Sequence, residues 1–92
     1  MRKFLIERNI SGAGKMGADE LRAAAGRSNE TLAQLAPQIQ WVKSYVTDDN
    51  IFCIYLAKDE GMVRKHAEKS GFPADRIEEV RNVIDPMTAV GA

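Results

Sequence analysis

This chain has one cysteine, one histidine and one tryptophan, and no formal net charge, with 13 Lys+Arg against 13 Asp+Glu. Each scarcity excludes something. A lone Cys53 cannot close an internal disulfide, and the default expectation is a cytoplasmic setting. A lone His66 leaves no His–His metal motif, and no Ser/His/Asp array or Cys/His pair stands at a recognisable spacing. The charge balance offers no field to recruit nucleic acid or an anionic membrane. No apolar run reaches the ~18 residues of a membrane span. Met1 to Arg8 opens on basic residues but has neither the long apolar stretch nor the small-residue cleavage site of a signal peptide.

The 92 residues, 45% hydrophobic and 28% charged, suit one globular domain. We expect it to span residues 1–92, with a core from about 3 to 85 and a tail from 86 to 92. Its centre is Gln40 to Leu56. Two extended runs, Trp41 to Thr47 and Ile51 to Leu56, flank Asp48-Asp49-Asn50. β-Branched and aromatic residues bounded by Asp/Asn read as a β-hairpin. Before it, Lys3 to Ile10 reads as a strand, with Phe4 and Ile6 on one face and Leu5 and Glu7 on the other. A Gly-rich loop, 11–17, leads to a helix from Ala18 with the stripe Leu21, Ala25, Ser28, Leu32, Leu35. Gly26 within it suggests close packing or a bend. Pro37 ends it. After the hairpin, Asp59 caps a helix carrying Val63, His66, Ala67 and Ser70 on one face. Gly71-Phe72 closes that helix, and Ile77 to Ile84 reads as a fourth strand. The tail from Met87 is expected to be loose or to cross to a neighbour.

The order β-α-β-β-α-β with right-handed crossovers gives an α+β, ferredoxin-like sheet of order 4-1-3-2 with two helices on one face. The run 51–56 is apolar at every position, so both faces of that strand need cover. One chain of this length supplies only one, which predicts a homodimer with sheets face to face, or a different protein on the second face.

Gly12-Ala13-Gly14-Lys15-Met16-Gly17 matches G-x-G-x-x-G, but the context opposes a dinucleotide site. The first strand carries Glu7, Arg8 and Asn9, and no acid follows a second parallel strand at the required distance. The segment reads as a flexible loop, with a small anion at the helix start as the intermediate option. His66 is either a packed histidine or a metal ligand or acid/base. Glu7, Tyr45, Cys53 and Tyr55 are the partners the sheet could offer. A two-residue turn sets Tyr45 with the even-numbered residues of the third strand, and a three-residue turn sets it with Cys53 and Tyr55. Cys53 reads as a small buried hydrophobe or a ligand. Glu7 would need a partner such as Arg81 or Lys43, or a metal. Trp41 and Tyr45, four apart on a strand, should share a face.

Several segments taken in order are familiar: Phe4-Leu5-Ile6-Glu7-Arg8, Arg27-Ser28-Asn29, Trp41 to Val46 with its acidic turn, Cys53-Ile54-Tyr55, Val63 to Ala67, and Gly71 to Ile77 with Val80. The chain resembles a family of small bacterial nickel-responsive, ferredoxin-like proteins of uncharacterised function, over about residues 3 to 85. The resemblance implies a dimeric α/β barrel and, in some members, bound nickel. Polar residues inside the matching motifs are then the candidate metal ligands: His66 and Glu7 first, followed by Cys53, Tyr45 and Tyr55. Imidazole with carboxylate suits nickel(II), and waters or a dimer mate would complete the set. Three functions follow: a non-enzymatic metal-responsive homodimer, a small dimeric-barrel enzyme of oxygenase or isomerase type with a pocket between sheet and helix near His66 and Glu7, and a structural or partner-binding module.

Overall fold

The computed structural model describes residues 1–91. Four antiparallel strands, β1 (Arg2–Asn9), β2 (Ile39–Val46), β3 (Asn50–Ala57) and β4 (Arg76–Glu79), form one sheet with helices α1 (Ala18–Leu35) and α2 (Glu60–Ser70). The sheet order is β2-β3-β1-β4, which is 4-1-3-2 read from the other edge. The fold is α+β and ferredoxin-like.

Local chemistry sets the ends of the helices. Glu20 of α1 reaches back to the Gly17 N–H, and Asp19 and Glu20 favour the positive end of the helix dipole. Ala36, placed before Pro37, is extended and stops α1. The Asp59 carboxylate accepts the Met62 N–H at 3.0 Å and caps α2. Gly71, left-handed at φ 79°, ends it.

The two faces of the sheet differ in kind. Phe4 and Ile6 of β1, Cys53, Tyr55 and Ala57 of β3 and Ile39 of β2 pack with Val63 of α2 and Leu35 of α1 to form the core. On the opposite face Leu5, Phe52, Ile54 and Leu56 are only half-buried. The hairpin has a two-residue turn, Asp48-Asp49, closed by the Thr47 N–H on the Asn50 carbonyl. This pairs Tyr45 with Phe52 on the open face. A β-bulge between Trp41 and Lys43 inserts one residue into β2. One extra residue reverses the alternation, so Trp41 lies opposite the buried Tyr55. Trp41 and Tyr45, expected to share a face, therefore stand on opposite faces.

The G-x-G-x-x-G segment packs against that turn. Gly14 donates to the Asp48 carbonyl at 2.9 Å, and Gly12 donates to Asp49 Oδ1 at 2.9 Å. A Cβ on Gly14 would lie 2.9 Å from Asp48 Cα. Gly12 takes φ +75°, a region glycine enters without steric cost. The amides that would cradle a phosphate are thus spent on the hairpin, and Asp49 holds the loop.

Three expectations change. On α1 the buried residues are Ser28, Thr31 and Leu35, whereas Leu21 is 36% exposed, because the first half of the helix stands over a cavity. Gly26 has nothing within 4 Å of an added Cβ, so close packing does not explain it. The fourth strand ends at Glu79, not Ile84. Its register sets Glu79 opposite Phe4, and the Val80 N–H on the Lys3 carbonyl is the last link. Because β1 begins at Arg2, a longer β4 would have no strand to pair with. Val83 and Ile84 are accordingly 69% and 78% exposed. Pro86–Val90 forms a short 3-10 turn, capped by Asp85 on the Thr88 N–H at 3.2 Å, with Met87 and Val90 exposed.

Candidate functional site

The pocket beneath α1 follows from the alternation of β1. Phe4, Ile6 and Arg8 share the helix side, so the strand that buries two apolar residues also buries a guanidinium. Arg8 is only 1% exposed. Its Nη1 donates to the Pro73 carbonyl at 2.6 Å, its Nε to Cys53 Sγ at 3.4 Å and its Nη2 to the Tyr55 hydroxyl at 3.5 Å. The guanidinium carbon lies 5.6 Å from the Phe72 ring centre and 6.0 Å from that of Tyr55, within cation–π range. None of the ion pairs among the described residues includes Arg8.

Above this group lies a cavity of about 260 Å³, open at its mouth and walled by Leu21, Ala25, Trp41, Ile51 and Phe72 among others, with Arg8, Cys53 and Tyr55 at its base. Trp41 Nε1 donates to Ser44 Oγ at 2.9 Å, which orients the indole at the wall. The bulge in β2 is what turns both residues inward.

His66 sits behind the pocket, fully buried, 5.1 Å from Tyr55 between ring centres. Its Nε2 pairs with Ser28 Oγ at 3.1 Å, while Nδ1 has no partner among the described residues. Burial first, and then the Arg8 charge, lowers its pKa to about 4 against the opposing Ser28 contact. The imidazole is therefore neutral at neutral pH. Burial also raises the Tyr55 phenol, helped by Cys53, while Ser28 and Arg8 oppose the rise.

Of the residues singled out from sequence, the structure gathers His66, Cys53 and Tyr55 on the helix side. It separates Glu7 and Tyr45, which face the other side. Glu7 lies opposite Phe52, with Arg76 4.0 Å away, not Arg81 or Lys43. The cavity is bounded by Cys53 and Tyr55 but not by His66 or Glu7. Sequence reasoning missed Arg8. The signal was present in its parity with Phe4 and Ile6, but a charged residue near a strand end reads as solvated.

Architecture and site define a ferredoxin-like α+β protein with a small apolar pocket that carries one cation. The family model described as "Nickel responsive protein SCO4226-like" matches residues 4–80, and the chain belongs to that family. The crystal structure of SCO4226 from Streptomyces coelicolor A3(2) superposes with a TM-score of 0.75 at 18% identity, covering 89% of this chain and 99% of that one. This likeness shows the fold. A search of curated proteins finds no match.

The family description raises nickel as a ligand, and the donor chemistry of the pocket opposes it. Cys53 and Tyr55 both accept from the Arg8 guanidinium, a fixed positive charge where a metal would sit. His66 Nε2 is engaged by Ser28. Among the described residues, no three His, Cys, Asp or Glu side chains are grouped to hold a metal. The residues of one chain do not fit nickel in this pocket.

Proposed function

We propose that this chain is a non-enzymatic binding protein of its nickel-responsive family, a cytoplasmic homodimer whose pocket beneath α1 holds a small, largely apolar molecule. The observation that carries the reading is the cavity of about 260 Å³ with apolar walls and a buried arginine at its base. Convergent polar groups in an apolar cleft are the ordinary form of a ligand site. An acid/base enzyme needs a group poised near its working pH. Here the imidazole is held at about 4 and the phenol is raised. Such groups hold and orient a ligand better than they transfer protons.

The dimer rests on the open face of the sheet. Leu5, Phe52, Ile54 and Leu56 form an apolar strip, each half-buried in the single chain, and Met87, Val90, Val83 and Ile84 add exposed apolar surface along the C-terminal segment. A symmetric copy would cover the strip.

Titration with 1-octanol tests the pocket, with Trp41, the single tryptophan, as the reporter at its wall. Saturable binding that Ala25→Phe abolishes while the fold persists is the expected result. Octanol binding that is absent, or that is unchanged in Ala25→Phe, refutes it.

A further inference from the structure

We infer that the pocket's natural ligand is an organic monocarboxylate, its apolar body under α1 and its carboxylate on the Arg8 guanidinium. This deepens the reading of the cavity as a ligand site and rests on it. A guanidinium carries five N–H donors. Here each nitrogen makes one protein contact, and two of the three acceptors, Cys53 Sγ at 3.4 Å and the Tyr55 hydroxyl at 3.5 Å, are long and uncharged. Only the Pro73 carbonyl, at 2.6 Å, is close. The remaining N–H groups on Nη1 and Nη2 have no contact among the described residues.

Burying a cation without an acid is costly unless a counter-charge completes the pair. Among the described residues no Asp or Glu lines the cavity and Arg8 is the one formal charge that does, so a ligand carboxylate would supply the missing partner. Carboxylate matches the planar guanidinium fork. A dianion such as phosphate would keep one charge unmatched among apolar walls, and an amine would meet the Arg8 charge head-on. Outside, Arg27 stands 4.5 Å from the centre of the Phe72 ring, so a second cation flanks the same aromatic wall. The Ser28 and Ser44 side chains line the cavity too and add neutral hydroxyls rather than a competing anion.

The test compares octanoate, 1-octanol and octylamine on the intact chain, by calorimetry and Trp41 emission. A charge-assisted hydrogen bond is worth a factor of about 10 to 100. Octanoate is therefore expected to bind about 10- to 100-fold more tightly than octanol, with octylamine weaker than either. Arg8→Met should erase the advantage of octanoate over octanol, and Arg8→Lys should restore part of it. If octanol or octylamine binds as tightly as octanoate, the pocket stands and the carboxylate inference falls. If none of the three binds, the pocket reading falls with it. Should Arg8→Met fail to fold, the ratio of octanoate to octanol on the unaltered chain decides.

Discussion

Replacing His66 by glutamine should flatten the acid limb of the protein's stability curve. In the unfolded chain the imidazole takes up a proton near its ordinary 6.5, but in the folded chain it does so only near about 4. Between these values the unfolded state binds more protons, so stability rises with pH. The contribution is fully present above about 6.5 and is lost as pH falls toward 4. Unscreened, that shift would be worth about 3 kcal/mol at about 1.4 kcal/mol per unit. The cavity opens one residue away, at Ser28, so solvent screens part of it, and roughly 2 kcal/mol is the expected loss. Around His66 stand Arg8 and Tyr55 from the sheet and Ser28 from α1. Of these, the Tyr55 phenol, raised by burial, keeps its proton through the window. Glu79, held low by Arg2, is present in both proteins and cancels in the comparison. Urea unfolding at several pH values from 7 to 4, run on both proteins, measures the difference. Parallel curves would refute the account of His66 as a neutral, buried ring.

Gly14→Ala should cost about 1–3 kcal/mol, as overpacking does, because the new Cβ would lie 2.9 Å from Asp48 Cα and 3.0 Å from the Thr47 carbonyl oxygen. Urea unfolding of this variant checks the claim that its glycine serves the turn rather than a phosphate. Ile54→Lys on the open face should turn the proposed dimer into a monomer in analytical ultracentrifugation, since a charge in the middle of an apolar interface is left unpaired. An Ile54→Lys protein that sediments as a dimer would move the interface elsewhere.

The architecture was legible because its signals are local and repeated. The acidic turn, the Asp59 cap and Gly71 ending α2 each declare themselves within a few residues. Where reading failed, a partner distant in sequence decided the outcome. The end of β4 depends on where β1 begins, 74 positions earlier by their first residues, Arg2 and Arg76. The face of Trp41 depends on a bulge that no residue type marks. The apolar stripe of α1 was real, but its first half roofs a cavity, and periodicity does not distinguish a packed face from a roof. Arg8 illustrates the limit best. Its parity placed it inside, but its chemistry argued for solvent, and only the convergence of Pro73, Cys53, Tyr55 and Phe72 around it explains how it remains there.

The Arg8 pocket is proposed to hold an organic ligand and not the metal. Crystals of the intact protein soaked with octanoate and nickel(II) test it most directly, with anomalous scattering to locate nickel. Octanoate is expected under α1, its carboxylate on the Arg8 guanidinium, with no nickel bonded to His66, Cys53 or Tyr55. A nickel peak within bonding distance of any of those three side chains would contradict it.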